Sequence, residues 1–218
     1  MAITIEQVDY SNLRGRSDLR DGVGPFDMVL TYPYTPKQFF TEKQFQIHII
    51  ILDTPPKKGF LRTFIVGGFT GYLDLTTRQL HRWYSDPIDE LHLFYPTIKV
   101  IPYSCFKRER HGELGISKEH ATILDQKALD NSDFLTVWPG ASDSDGTRKE
   151  IDYATKKGTD LVCLFKEENP ETEFRQRIME SAAVHEGGSS LTFITFGTKQ
   201  ELYSALAQVV DEMKIKTA

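Results

Sequence analysis

Glu150 lies in the stretch Ser142-Asp143-Ser144-Asp145-Gly146-Thr147-Arg148-Lys149-Glu150-Ile151, just after the apolar run Phe134–Val137 and the turn Trp138-Pro139-Gly140. The order reads as strand, then a loop of Ser, Asp and Gly, then a helix with a carboxylate in its first turn. In an open α/β sheet such a loop sits at the carboxyl end of a strand, where ligands bind. A helix start also offers unpaired backbone N–H groups that suit an anion such as phosphate. Asp125, on the helix preceding the same strand, brings a second carboxylate to this edge. Two carboxylates beside a phosphate-friendly loop suit reactions with oxocarbenium-like transition states. One attacks or stabilises an anomeric carbon, and the other positions a hydroxyl or handles a proton. N-glycosidic bonds of nucleosides and nucleotides fit, because a phosphate supplies binding energy remote from the bond broken.

Each of these residues also has a plainer reading. Thr147-Arg148-Lys149-Glu150 fits a capping box, in which Glu150 only satisfies a backbone donor. Asp125 reads equally as a surface charge on its helix. Gly67-Gly68, after the strand Thr63–Val66, lets backbone approach a ligand closely or simply turns the chain. Ser144 is either a phosphate donor or a loop hydroxyl. The cluster Lys107-Arg108-Glu109-Arg110-His111 reads as a solvated loop or as a local site for an anionic ligand.

Composition narrows the class. A chain of 218 residues, 39% hydrophobic and 26% charged, is ordinary globular usage and long enough for a full core. A net charge of −5 argues against nucleic acid as a partner. Two cysteines are too few for a disulfide framework, and the six histidines show no metal-ligand spacing, so neither metal nor cofactor is expected. Neither a signal peptide nor an apolar run of membrane-spanning length is visible, so a cytoplasmic chain is the expectation.

The elements that must position Glu150 and Asp125 fall into two regions. Residues 1–59 are punctuated by Pro and Gly, with expected strands at Phe26–Thr31 and Phe45–Asp53, and read as a β-rich, hairpin-like extension. Residues 60–218 alternate strands with helices. Strands are expected at Thr63–Val66, Thr97–Tyr103, Phe134–Trp138, Leu161–Phe165 and Leu191–Phe196. Helices are expected within Leu75–Phe94 and at Ser117–Asn131, Thr147–Lys157 and Glu173–Ala183, with a last one from about Thr198. That alternation predicts a Rossmann-like α/β domain: a parallel five-stranded sheet with helices on both faces.

From about Leu61 to Lys214 the chain resembles the nucleoside 2-deoxyribosyltransferase superfamily. The likeness is carried by Gly67-Gly68-Phe69, by Asp125 with Asp133, and by Gly146-Thr147-Arg148-Lys149-Glu150-Ile151. Within it, Ala121–Asp125 and Asp133–Gly140 are most similar to cytidine monophosphate N-glycosidases of nucleoside-antibiotic pathways. The resemblance implies Glu150 as nucleophile and Asp125 as its catalytic partner. Ser144, Gly146, Thr147, Gly67 and Gly68 would hold a phosphate. Phe69, Trp138 and Arg108 are candidates for contact with base or sugar, and core packing competes for both aromatic residues. Relatives carry Ser six residues before the nucleophile when they act on 5′-monophosphates and Asp when they act on nucleosides; here the residue is Ser144. Relatives also carry Gly two residues after the nucleophile, where this chain has Asp152. The resemblance further implies a homodimer or larger homo-oligomer with shared sites, the segment Ala182–Ser190 serving a partner's pocket.

The implied activity is hydrolysis of a nucleoside 5′-monophosphate, with CMP or its hydroxymethyl derivative as best fit. Base exchange by a deoxyribosyltransferase is one alternative. A sensor that binds a nucleotide or ADP-ribose-type ligand without turnover is another, and an NAD-cleaving domain of the TIR kind ranks last.

Overall fold

A computed structural model of the chain describes residues 3–14, 26, 38–67, 88–110, 114–138, 145–168, 172–185 and 188–217. The strands are β1 (Thr4–Gln7), β2 (Gln38–Phe39), β3 (Leu61–Gly67), β4 (Val100–Tyr103), β5 (Leu114–Gly115), β6 (Phe134–Trp138), β7 (Asp160–Lys166) and β8 (Leu191–Phe196). The helices are α1 (Glu42–Asp53), α2 (described over 88–94), α3 (the single turn Cys105–Arg108), α4 (Lys118–Asp130), α5 (Asp145–Lys157), α6 (Thr172–Val184) and α7 (Lys199–Thr217). The main sheet has six strands in the order β1-β8-β7-β6-β3-β4. Five of them are parallel, and β1 joins the β8 edge antiparallel. From β3 the chain steps outward to β4 and then returns to the other side of β3 as β6. The strand order therefore reverses between β3 and β6, where Gly67 pairs with Trp138 at the carboxyl ends.

Alternate residues of each strand face opposite layers. Phe64, Val66, Leu135, Val137, Cys163 and Phe165 pack under α1, α4, α5 and α6. Ile65, Phe134, Val162, Leu164 and Ile194 face the other way, against Leu91 of α2 and Leu202, Leu206, Val209 and Val210 of α7. On that second side the hydroxyls of Thr63 and Tyr95 each reach Thr136 Oγ1, at 2.8 and 2.7 Å. Their pairing satisfies polar groups that burial would otherwise leave stranded.

The expected strand Phe45–Asp53 is a helix. Thr41 and Gln44 close a capping box at its start, a local signal for helix that outweighs the β-branched run. Phe45 and Leu52 are buried, with Ile49 packed against the same core, a 3–4 residue spacing. Ile47, Ile50 and Ile51 point outward and are exposed. Phe26 carries no regular structure, and 27–31 lie outside the described residues. The N-terminal region nevertheless joins the sheet: β1 covers the β8 edge, and Tyr10, Leu13, Phe45 and Leu52 enter the same core. Thr97–Tyr103 is likewise shorter than expected as a strand. Tyr95–Ile98 is a 3-10 turn with Pro96 in its first positions, Lys99 is left-handed, and the strand begins at Val100.

Of the helix expected within Leu75–Phe94, 88–94 are helical and 75–87 lie outside the described residues, while the remaining expected helices and strands stand within two residues of their expected bounds. Ser117 caps α4 through His120 N, and Gly158, at φ +77°, ends α5 in a conformation only glycine adopts cheaply. No described helix is long and apolar enough to cross a membrane.

Candidate active site

Three elements deliver charged groups to the carboxyl ends of β3, β4 and β6, on the face covered by α4 and α5. Beyond Tyr103 at the end of β4, Ser104 Oγ accepts from Lys107 N and caps the turn α3. That tight turn sends Arg108 and Glu109 inward, where they are 5% and 3% exposed. Asp125, from the buried face of α4, is 1% exposed. Glu150, from α5, is 3% exposed.

Arg108 is the hub. Its Nη1 donates to Asp125 Oδ1, and its Nη2 lies 2.6 Å from Glu109 Oε1 and 3.4 Å from Asp125 Oδ2. Its Nε is buried and makes no hydrogen bond among the described residues. Burial favours the neutral guanidine, but Asp125 and Glu109 outweigh it and hold Arg108 firmly charged. Burial pushes the Asp125 carboxyl up, and Arg108 offsets part of that. Glu150 is pushed well above the usual carboxylate range, first by burial and then by the negative charge of Asp125. The site thus holds unlike carboxyls: one paired with a cation, the other poised to keep a proton.

An outer layer joins these groups to the N-terminal region. Tyr103, whose hydroxyl is pushed up to about 12 by burial, meets His48 Nδ1 of α1 at 3.1 Å. Burial, with Arg108 behind it, lowers His48 to about 4, so the ring is neutral at neutral pH. The short parallel pair β2–β5 holds Phe39 beside Gly115, and Leu114 N donates to Glu109 O at 3.1 Å. Residues 38–53 therefore frame the turn that presents Arg108 and Glu109.

The helix carrying Glu150 begins at Asp145, two residues before Thr147. Thr147 is the third helical residue and cannot cap this helix, so Glu150 lies in the second turn, not the first. The capping-box reading of Glu150 is thereby removed. Gly146 and the buried Thr147 stand in the first turn of this helix. Gly67 ends β3 beside Trp138. Trp138 is buried in the α7-side core, 6.1 Å from the Phe196 ring, on the opposite face of the sheet from Asp125 and Glu150. Ser144, Gly68 and Phe69 lie outside the described residues. Asp152 accepts a hydrogen bond from Ser181 Oγ and ties α5 to α6.

No family model matches the chain, and no curated protein matches it. Among solved structures, a CMP N-glycosidase from Clostridium botulinum is similar over 67% of this chain and 98% of its own, with 18% identity and a TM-score of 0.47. A conserved protein from Enterococcus faecalis is similar over 69% of this chain and 99% of its own, with 13% identity and a TM-score of 0.41.

Sequence reasoning passed over Glu109, Tyr103 and His48. The signal for the first two was present: the cluster Lys107–His111 directly follows a strand's carboxyl end, the edge where ligands bind. His48 has no such signal, because Phe45–Asp53 reads as a strand in sequence and is a helix in the fold. The segment Ala182–Ser190 runs to the amino end of the sheet, where Ser190 N meets Asp160 Oδ1 at 2.8 Å. Its Ala182, Ala183 and Ser189 are buried against their own chain.

Proposed function

We propose that the chain hydrolyses the N-glycosidic bond of a nucleoside 5′-monophosphate, with CMP or hydroxymethyl-CMP as the best-fitting substrates. The observation that carries this reading is the burial of Glu150 and Asp125 in one charged cluster at the strand-order reversal. Glu150 attacks C1′ as the C1′–N bond breaks, and the bonding pair leaves with the base, which takes up a proton. Water then attacks C1′ of the glycosyl-Glu150 ester, releases the carboxylate and yields (deoxy)ribose 5-phosphate. Asp125 orients the sugar hydroxyl and receives or relays protons. Gly146, Thr147 and Gly67, with Ser144 and Gly68, hold the phosphate, and Phe69 stacks on the base. Arg108 Nε, a buried donor without a partner among the described residues, suits a ligand oxygen. The working unit on this reading is a homodimer or larger assembly, which light scattering checks.

The test is incubation with a panel of ribo- and deoxynucleotides, reading liberated base by chromatography. Release of free base from a monophosphate is expected, and Glu150→Ala should lower it by about 10³-fold or more. Cleavage of nucleosides but of no monophosphate sinks the phosphate argument. Turnover only when a second base is added makes the chain a transferase.

A further inference from the structure

The run Phe45-Gln46-Ile47-His48-Ile49-Ile50-Ile51-Leu52 makes α1 apolar on nearly every side. A helix of that kind is ordinarily buried all round. Within the chain only one side is used: Phe45 and Leu52 are buried, and Ile49 packs beside them. Ile47, Ile50 and Ile51 face outward, 45%, 64% and 48% exposed, and their spacing of three and four sets them on one stripe. The apolar surface continues onto α4. Phe45 stacks on His120 with ring centroids 4.0 Å apart, and Lys127 Nζ lies 2.5 Å from Asp53 Oδ1, so the two helices run side by side in the same direction. Ile123 shares the stripe of His120 and Lys127 along the edge of α4 that meets α1, and it is 41% exposed. Ile50 lies one turn before Asp53, on the neighbouring edge of α1. The four isoleucines together expose on the order of 350 Å², as much as the patches that soluble chains use for binding.

The rim of this patch chooses the partner. A membrane-surface helix carries a basic rim, whereas here Glu42, Asp53 and Glu119 alternate with Lys43 and Lys127. The rim is self-complementary. Glu42 opens α1, and the exposed Lys57 and Lys58 follow its end. A two-fold rotation that lays α1 antiparallel on itself brings acid against base at both ends and opposes the two helix dipoles. Two copies so paired bury about 700 Å² of isoleucine surface, and the polar rim brings the total to about 1,000 Å², the threshold for a specific contact. We propose that the outer face of α1, with Ile123 of α4, is an isologous surface through which two copies of this chain pair, α1 antiparallel on α1. A contact of this size makes a reversible dimer. It rests on the shape and charge of this face and stands apart from the proposed reaction.

Sedimentation of the full chain over a concentration series tests the pairing. A monomer–dimer equilibrium is expected, and Ile50→Asp and Ile123→Asp should each raise its dissociation midpoint by about tenfold or more. Both side chains are exposed, so the circular dichroism of each variant should match that of the parent. Leu93→Asp, exposed on α2 in the opposite layer, should leave the equilibrium unchanged. Lys57→Glu with Lys58→Glu should weaken the dimer, and adding Glu42→Lys should restore it; no restoration overturns the antiparallel arrangement. A chain that stays monomeric at the highest concentration reached overturns the proposal, as does a dimer that either isoleucine substitution leaves intact. In the latter case the homodimer of the proposed function stands on another face. Base release is measured separately, and its absence rejects the proposed reaction while leaving the contact standing.

Discussion

Glu150 enters the folded protein as an acid that resists ionisation, and that has a consequence for stability. Its carboxyl is raised above the unfolded value of about 4.3. The native state thus binds more protons than the unfolded chain, and stability falls as pH rises through the window between those two values. Glu150→Gln removes the penalty. It should melt higher than the parent at neutral pH by at least about 2 °C, and the gap should close below about pH 4. An unchanged gap across the pH range would refute a buried acid at this position. His48 works with the opposite sign. Its folded value near 4 lies below the ordinary 6.5, so it favours folding above pH 6.5 and loses that contribution as pH falls to about 4. A His48→Gln chain should show a flatter melting profile over that window, read by calorimetry.

Among the elements, α1 is the one whose fate hangs on a distant residue. Arg62 of β3 reaches the carbonyls of Leu52 and Thr54 at 2.7 and 2.6 Å, where the end of the helix leaves acceptors unpaired. Its own backbone N donates to Asp133 Oδ2 at 2.6 Å, which fixes β3 against the start of β6. Arg62→Met keeps the apolar stem and removes the donors. The expected cost is about 1–3 kcal/mol in denaturant unfolding, with hydrogen exchange accelerating first in residues 42–53. Uniform exchange throughout the chain would show that Arg62 does not hold α1. The elements also show where local pattern suffices. Phe134–Trp138 and Leu191–Phe196 stand as their apolar runs predict, and Ser117 caps α4, since such signals act over a few residues. Phe45–Asp53 misleads because Ile47, Ile50 and Ile51 are β-branched yet lie on the outer face of a helix. Arg108 and Glu109 mislead for a related reason. A mixed charge cluster looks solvated until the fold closes over it.

At the scale of the molecule, the N-terminal region serves both ends of the sheet order. Residues 4–7 pair with β8 at one edge, while residues 38–53 pack near the turn that follows β4 at the other. An unpaired β8 would be a template for another chain. Deleting the first eight residues should therefore shift the protein toward larger species in sedimentation and lower its melting temperature. An unchanged species with an unchanged melt would leave β1 without a protective role.

The alternation of strands and helices, the Gly at the end of β3 and the spacing of Asp125 and Glu150 are local matters of propensity, capping and period. The sequence by itself determined those, and with them the edge of the sheet at which these residues gather. The tertiary structure decided how the groups at that edge are charged. Burial and the reach of one guanidinium depend on residues far apart along the chain, and no local pattern records which carboxyl Arg108 will hold.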